Sequence, residues 1–368
     1  MTRPTDASLA VRVHRVDRVD GVDAARGLAL IGMFVAHVAP AVASSDLESV
    51  IAIADERPRL LFALTAGIGL GFMSGGVMPI TEGRGSLRRQ IAIRAVILIA
   101  LGLLIAVTLH PLVFIILDVY GVAFLVLLPL IFIPPRVALG VGIALLVVTP
   151  ALAEVASRTE AVEELQSTSA QLIVDWFVSG AYPIVIWIPV MLIGLALARL
   201  DLTSPRVVGI AALAGTTAAA MLLPIAAMLP GEEVATEASW AAPLRASLET
   251  VGNTGVGVLV VAGMMLLTAF ARPPVRRVAS ALLSPVTAMG SMPLSVYTLH
   301  LVVIAASIRA ENGVMTDDSF ELLAGLVLGS MVFAWLWRRY LGRGPLERLL
   351  RWASGRSRAD AAGGGATG

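Results

Sequence analysis

Asp23-Ala24-Ala25-Arg26-Gly27-Leu28-Ala29-Leu30-Ile31-Gly32-Met33-Phe34-Val35-Ala36-His37 opens the first hydrophobic segment of the chain. An acid and an arginine one helical turn apart lead into an apolar run that carries an imidazole well inside it. The surrounding composition decides how that run is read. Of the 368 residues 57% are hydrophobic and 14% charged, and the mean hydropathy is +0.87, more apolar than a soluble domain can cover with polar surface. The run is therefore a membrane span. It is too long for a cleaved signal h-region and no small-residue cleavage site follows it, so it is expected to stay as a signal anchor. An ionisable group inside a span is costly and usually faces protein or an aqueous cavity, so His37 is the first candidate site residue.

Residue usage excludes several chemistries. There is no Cys, so disulfides, thiolate metal sites and Cys nucleophiles are out, and four scattered His residues give no zinc spacing; no metal is expected. Every basic residue is Arg, which removes Lys Schiff bases and P-loop lysines. The net charge of +1 says little about partners, and nothing points to nucleic acid.

With about 20 apolar residues per helical span, the chain reads as an all-α polytopic bundle of ten: 24 to 44, 58 to 77, 90 to 109, 111 to 133, 136 to 155, 180 to 199, 206 to 228, 247 to 270, 283 to 308 and 319 to 341. Asp118 and Tyr120 interrupt the fourth, and Pro285 and Pro293 the ninth. Residues 1–22 form a basic arm, 23–341 the transmembrane domain and 342–368 a basic tail. No internal repeat is evident, which disfavours inverted-repeat transporter plans.

Arg placement orients the bundle. Arg3, Arg12, Arg15, Arg18, Arg84, Arg88, Arg89, Arg136, Arg199, Arg206, Arg272, Arg276, Arg277 and the arginines of the tail fall on one side. The alternate connections hold Arg57, Arg59, Arg158, Arg245 and Arg309 with most of the acids, among them Glu160, Glu163, Glu164, Glu232, Glu233, Asp317 and Asp318. The first set is expected to be cytoplasmic, with both termini inside. The segment Gln171 to Phe177 has the composition of an interfacial stretch. In the tail, Leu346, Leu349, Leu350 and Trp352 alternate with Arg343, Arg348 and Arg351, as in a cationic helix on the inner leaflet, and the final Gly-rich residues read as disordered.

A rise of about 1.5 Å per residue places His37 roughly 21 Å from the cytoplasmic side and His300 roughly 22 Å along its own span, with Asp118 about 10 Å below the outer surface. The three share one layer. Tyr120, Tyr297, Glu249 and Asn253 lie near it, with Arg57, Arg59 and His110 at its rim; His14, in the arm, has no evident role. Each has a bland alternative: a helix–helix hydrogen bond for a His, capping for Glu249 and Asn253, snorkelling for Arg57 and Arg59. On the cytoplasmic side Asp23, Arg26 and Arg94 form a second cluster, and a guanidinium at that depth wants a carboxylate or a phosphate. The glycines from Gly67 to Gly76 allow close helix approach and are no phosphate loop.

Val22-Asp23-Ala24-Ala25-Arg26-Gly27, then Arg59 to Gly67, then Tyr297-Thr298-Leu299-His300 resemble the transmembrane acyltransferase superfamily. Within it they are most similar to bacterial relatives of heparan-alpha-glucosaminide N-acetyltransferase and to DUF418-type proteins, over residues 15 to about 340. The resemblance implies transfer of an acyl group from cytoplasmic acyl-CoA, with acetyl-CoA the expected donor, to an extracytoplasmic sugar, glycan or glycolipid. It also implies a polar residue of the first span in the reaction centre, here His37. The lysosomal type has an Asn there and a catalytic His in the next loop. This chain has no His between 38 and 109, and Asp46, Glu48, Asp55 and Glu56 stand in that loop.

The expected roles follow. Arg26, Arg94 and Asp23 serve the nucleotide end of the donor; His37 or His300 is general base, oriented by Asp118; Arg57, Arg59, Tyr120, Glu249, Asn253 and Tyr297 bind substrate. An Arg-only, Ala- and Val-rich chain suggests a GC-rich bacterium, hence its plasma membrane and an envelope acceptor. Two other classes stay open: a proton-coupled exporter using His37, His300 and Asp118 as a relay, and a non-catalytic scaffold. The oligomeric state, a homo-oligomer included, is open as well.

Overall fold

The computed structural model describes residues 19–40, 48, 51, 53–54, 56–230, 240–311 and 313–355. Residues 1–18 of the basic arm, with its four arginines and His14, the loop acids Asp46 and Asp55, the acids Glu232 and Glu233, and the tail from Arg356 onward lie outside the described residues. The element order is α1 (Asp20–Val38), α2 (Arg57–Met73), α3 (Arg84–Leu109), α4 (Leu117–Leu127), α5 (Pro135–Ser157), α6 (Glu160–Gln166), α7 (Gln171–Val174), α8 (Ile184–Arg199), α9 (Pro205–Met228), α10 (Ala241–Met265), α11 (Pro273–Ser291), α12 (Pro293–Ser307), β1 (Arg309–Glu311), β2 (Val314–Thr316), α13 (Phe320–Tyr340) and α14 (Pro345–Ala353). A π turn extends α7 over Asp175–Ser179 and another extends α10 over Leu266–Phe270. Apart from the β1–β2 hairpin, the regular structure among the described residues is helical.

Among the described residues six helices are long and apolar enough to cross a membrane, and eight spans result if each of two bent pairs counts as one. That is fewer than the ten expected, for local reasons. The stretch 111 to 133 is helical only over Leu117–Leu127, because an extended segment after His110 and turns ahead of Pro134 take up the rest. The stretch 283 to 308 breaks at Met292, where α11 and α12 meet at 82°. Pro293 supplies no N–H and disfavours helical backbone in the residue before it, and Met292 takes φ −136° and ψ 55°. The helix α2 has 17 residues, one short turn less than a full span.

The helix α1 packs against α2, α10, α11, α12 and α13. Its crossing with α11 is backbone on backbone: a Cβ on Gly290 would lie 1.8 Å from the Asp23 carbonyl oxygen, and one on Gly27 2.1 Å from that of Val286. Gly67 and Gly194 bring α2 and α8 together the same way, with an added Cβ 2.0 Å from the Met191 carbonyl oxygen and 2.1 Å from that of Leu64. Small residues at such crossings replace the hydrophobic drive that helices lack in lipid. Outward faces stay apolar, as at Val107, Leu213 and Leu328, which suits a hydrocarbon surrounding.

The two ends of the bundle differ. At the arginine-rich end Arg338 Nη2 donates to Asp20 Oδ1 at 3.2 Å, joining the last turn of α13 to the first of α1. At the opposite end the Ser319 N–H donates to the Val38 carbonyl at 2.9 Å, and the Ser319 hydroxyl caps α13 at the Leu322 N–H. The tail helix α14 is a working part of the bundle as well as a cationic helix. Leu346 and Leu350 pack on the core while Leu349 and Trp352 stay exposed.

Candidate functional site

The two imidazoles expected at matched depth meet. His37 in the last turn of α1 and His300 in the middle of α12 place Nδ1 and Nε2 3.2 Å apart, with their rings nearly parallel at 13°. Phe34 and Tyr297 pack on the His300 ring at centroid distances of 4.8 and 4.6 Å. His300 is fully buried and His37 half-buried, so His37 is the member with access. Tyr297 is fixed in turn by the Ile116 N–H, which donates to its hydroxyl at 3.0 Å.

Asp118 does not orient an imidazole. Its Oδ2 accepts from Trp176 Nε1 at 2.8 Å, while Oδ1 is buried and unpartnered among the described residues. Trp176 belongs to the π turn after α7, so the segment read as interfacial closes over the start of α4. Gln166 Nε2 holds that turn through Ser179 Oγ at 2.9 Å. Asp118, Asp175, Trp176, Tyr182 and His110 line a cavity of about 550 Å³ toward the end opposite the arginines.

At the arginine-rich end, Arg26 Nη1 pairs with Asp23 Oδ1 at 3.1 Å and bonds the Gly290 carbonyl at 3.2 Å, while Nη2 bonds the Thr65 carbonyl at 2.9 Å. It therefore ties α1 to α2 and α11. Arg94 reaches Ser354 Oγ and Met73 Sδ, each at 3.4 Å. A vestibule of about 380 Å³ has Arg26, Arg94, Arg343 and Arg351 in its wall against Asp23 and Glu347. An apolar channel of about 280 Å³ shares Arg26, Gly69, Met73, Arg94, Glu347 and Leu350 with the vestibule and runs to Phe62, Tyr120 and Tyr297. A cationic mouth on a narrow apolar channel suits a ligand with an anionic head and a slender arm. Neither imidazole lines these cavities, but Tyr297 does, and its ring touches His300.

The remaining expected residues divide. Tyr120 and Tyr297 stand in the channel instead of at an acceptor site, Tyr120 within an aromatic cluster of Phe62, Phe124 and Trp187. Arg57 Nε donates to Asn253 Oδ1 at 3.0 Å, Asn253 Nδ2 to Glu56 Oε2 at 3.0 Å, and Arg59 Nη2 to Glu56 Oε1 at 2.8 Å; these form one chain at the opposite end. Glu249 pairs instead with Arg245 at 2.8 Å.

Sequence reasoning missed Glu347. Its Oε1 accepts the Leu294 and Ser295 N–H groups at 2.8 and 3.1 Å, and its Oε2 accepts from the Ser295 hydroxyl, so a tail carboxylate caps α12. Its being the lone acid of α14, among arginines and leucines, was a signal. Arg199, read as a loop arginine, is buried and donates to Ser74 Oγ and to the Gly76 and Ile131 carbonyls.

Residues 18–227, more than half of the chain, match the family described as heparan-alpha-glucosaminide N-acetyltransferase, catalytic. The chain belongs to the heparan-alpha-glucosaminide N-acetyltransferase catalytic family. Residues 195–357 also match a family of proteins of unknown function, DUF418. No curated protein and no solved structure matches. Membership of the heparan-alpha-glucosaminide N-acetyltransferase family, with several apolar helices, makes this a multi-pass membrane protein of an acyltransferase family. Its match to that family contains Arg26, His37, Arg94 and Asp118, whereas Tyr297, His300 and Glu347 lie in the DUF418 match, so the imidazole pair joins the two matched regions.

Proposed function

We propose that the protein transfers an acyl group, with acetyl-CoA the expected donor, from cytoplasmic acyl-CoA to an extracytoplasmic sugar, glycan or glycolipid in the cell envelope of a bacterium. The observation that carries this reading is that the arginine vestibule shares Arg26, Arg94 and Glu347 with the wall of the apolar channel, whose lining includes Tyr297, the residue whose ring contacts His300. Arg94, Arg343 and Arg351 would receive the phosphates of the nucleotide end, Arg26 and Asp23 would shape the mouth, and the channel would take the pantetheine arm.

His37, the half-buried member, acts as general base. It takes the proton of an acceptor hydroxyl or amine as that group attacks the thioester carbonyl. A C–O or C–N bond forms, the C–S bond breaks, and the proton leaves with the CoA thiol. His300 holds His37 in the tautomer that leaves its outer nitrogen as acceptor. The acceptor would approach through the cavity containing Asp118 and Tyr182, on the other face of α4. By the positive-inside rule the arginine-rich end is cytoplasmic, with both termini there. Ten spans result if α2 and α4 cross along with the six long helices and the two bent pairs.

Titration of the detergent-purified protein with acetyl-CoA and longer acyl-CoAs by calorimetry tests the reading without knowledge of the acceptor. Binding should be lost in Arg94→Ala and kept in His37→Ala. Folded protein that binds no acyl-CoA would overturn it in favour of proton-coupled transport, for which the cavities on opposite faces of α4 would be the two access paths.

A further inference from the structure

A further concavity lies apart from those just described. Between α1, α11, α13 and the π turn after α10, a groove of about 370 Å³ is lined by Asp20, Thr268, Ser280, Ser284, Thr287, Trp335, Arg338 and Arg339. On α11 the three hydroxyl residues recur at intervals of four and three, one face of a helix, and that face shares the groove with Trp335, Arg338 and Arg339 of the last turns of α13.

The hydrogen-bonding state of this lining is lopsided. Among the described residues the side chains of Ser280, Ser284, Thr287, Trp335 and Arg339 have no protein partner, and all five can donate. The one acid, Asp20, is already held by Arg338 at 3.2 Å. A ligand suited to these donors and the Arg339 guanidinium is an acceptor-only anion, and phosphate is the biological group that fits best.

Its source is settled by what lies beside the groove. Leu328, Val332, Trp335, Leu336 and Arg339 fall on one stripe of α13 at helical spacing. The first four are 62%, 57%, 41% and 41% exposed. An apolar track that ends in an indole and an arginine offers acyl chains a surface immediately below a headgroup, with the indole at the interface, where Trp concentrates. We propose that this groove binds the phosphate headgroup of an anionic phospholipid, with its chains along the Leu328–Leu336 stripe. The site is independent of the acyl-transfer reading.

Native mass spectrometry of the full chain in detergent, titrated with phosphatidylglycerol or phosphatidylcholine, tests it. Wild type should retain phosphatidylglycerol in preference, and Arg339→Gln should cut that retention about fivefold, the effect of one interfacial arginine. Ser284→Ala, a mild change, should weaken it in the same direction with unfolding temperature unchanged. Equal retention of both lipids, or retention untouched by both variants, would overturn the proposal. Displacement of phosphatidylglycerol by millimolar inorganic phosphate would also overturn it, since the track for the chains would then contribute nothing.

Discussion

His37 Nδ1 and His300 Nε2 stand 3.2 Å apart across 263 residues of sequence. At that distance one nitrogen must carry the proton and the other the lone pair, so each ring fixes the tautomer of its partner. The pair acts as a unit, with His37 as its accessible end.

Substitution should therefore be asymmetric. We expect His37→Ala to lower acyl transfer about 10²- to 10⁴-fold, the usual worth of a general base. His300→Gln, whose amide reaches the Nε2 position, should retain more rate than His300→Ala. Release of CoA thiol by the variants in membrane vesicles checks this. Equal loss in His300→Gln and His300→Ala would remove the orienting role.

Glu347 satisfies two N–H groups at the start of α12 from a helix that follows the last apolar one. Losing such a cap costs about 0.5–2 kcal/mol. We expect Glu347→Ala to lower the unfolding temperature and loosen α14, and Glu347→Gln, which keeps one acceptor oxygen, to lower it less. Thermal unfolding in detergent and protease nicking of the tail are the readouts.

Gly290 has no room for a side chain, since its Cβ would sit 1.8 Å from the Asp23 carbonyl oxygen. We expect Gly290→Ala to push α11 off α1 at a cost of about 1–3 kcal/mol, visible as lower yield of monodisperse protein. Gly263→Ala, where an added Cβ meets nothing within 4 Å, is the control and should behave as wild type.

Asp317, in the connection before α13, is buried with Oδ2 unpartnered among the described residues, and loss of solvation pushes its carboxyl above the ordinary 3.8. The folded state then binds this proton more tightly than the unfolded state does. Stability contributed by the protonated form is present below pH 3.8 and is lost as pH rises through the raised value. We expect Asp317→Asn to be less sensitive to pH over that window and more stable above it, measured as unfolding temperature against pH.

Sequence alone determined what depends on composition and on distance along a helix. Hydropathy made the chain a membrane bundle, and Asp23-Ala24-Ala25-Arg26-Gly27 pointed to its family. A fixed rise per residue put His37 and His300 at one depth. Rotation about the axis and the identity of neighbours were illegible, because spans that are apolar all round carry no preferred face. Tertiary packing thus decided that His300 turns to His37 while Asp118 turns to Trp176, that Asn253 joins Arg57 while Glu249 does not, and that Glu347 leaves the tail to cap α12. It also set the 82° angle at Met292: Pro293 marks where a helix must break, but the angle depends on what each half packs against, α11 crossing α1 at backbone contact through Gly27 and Gly290 and α12 bringing His300 to His37.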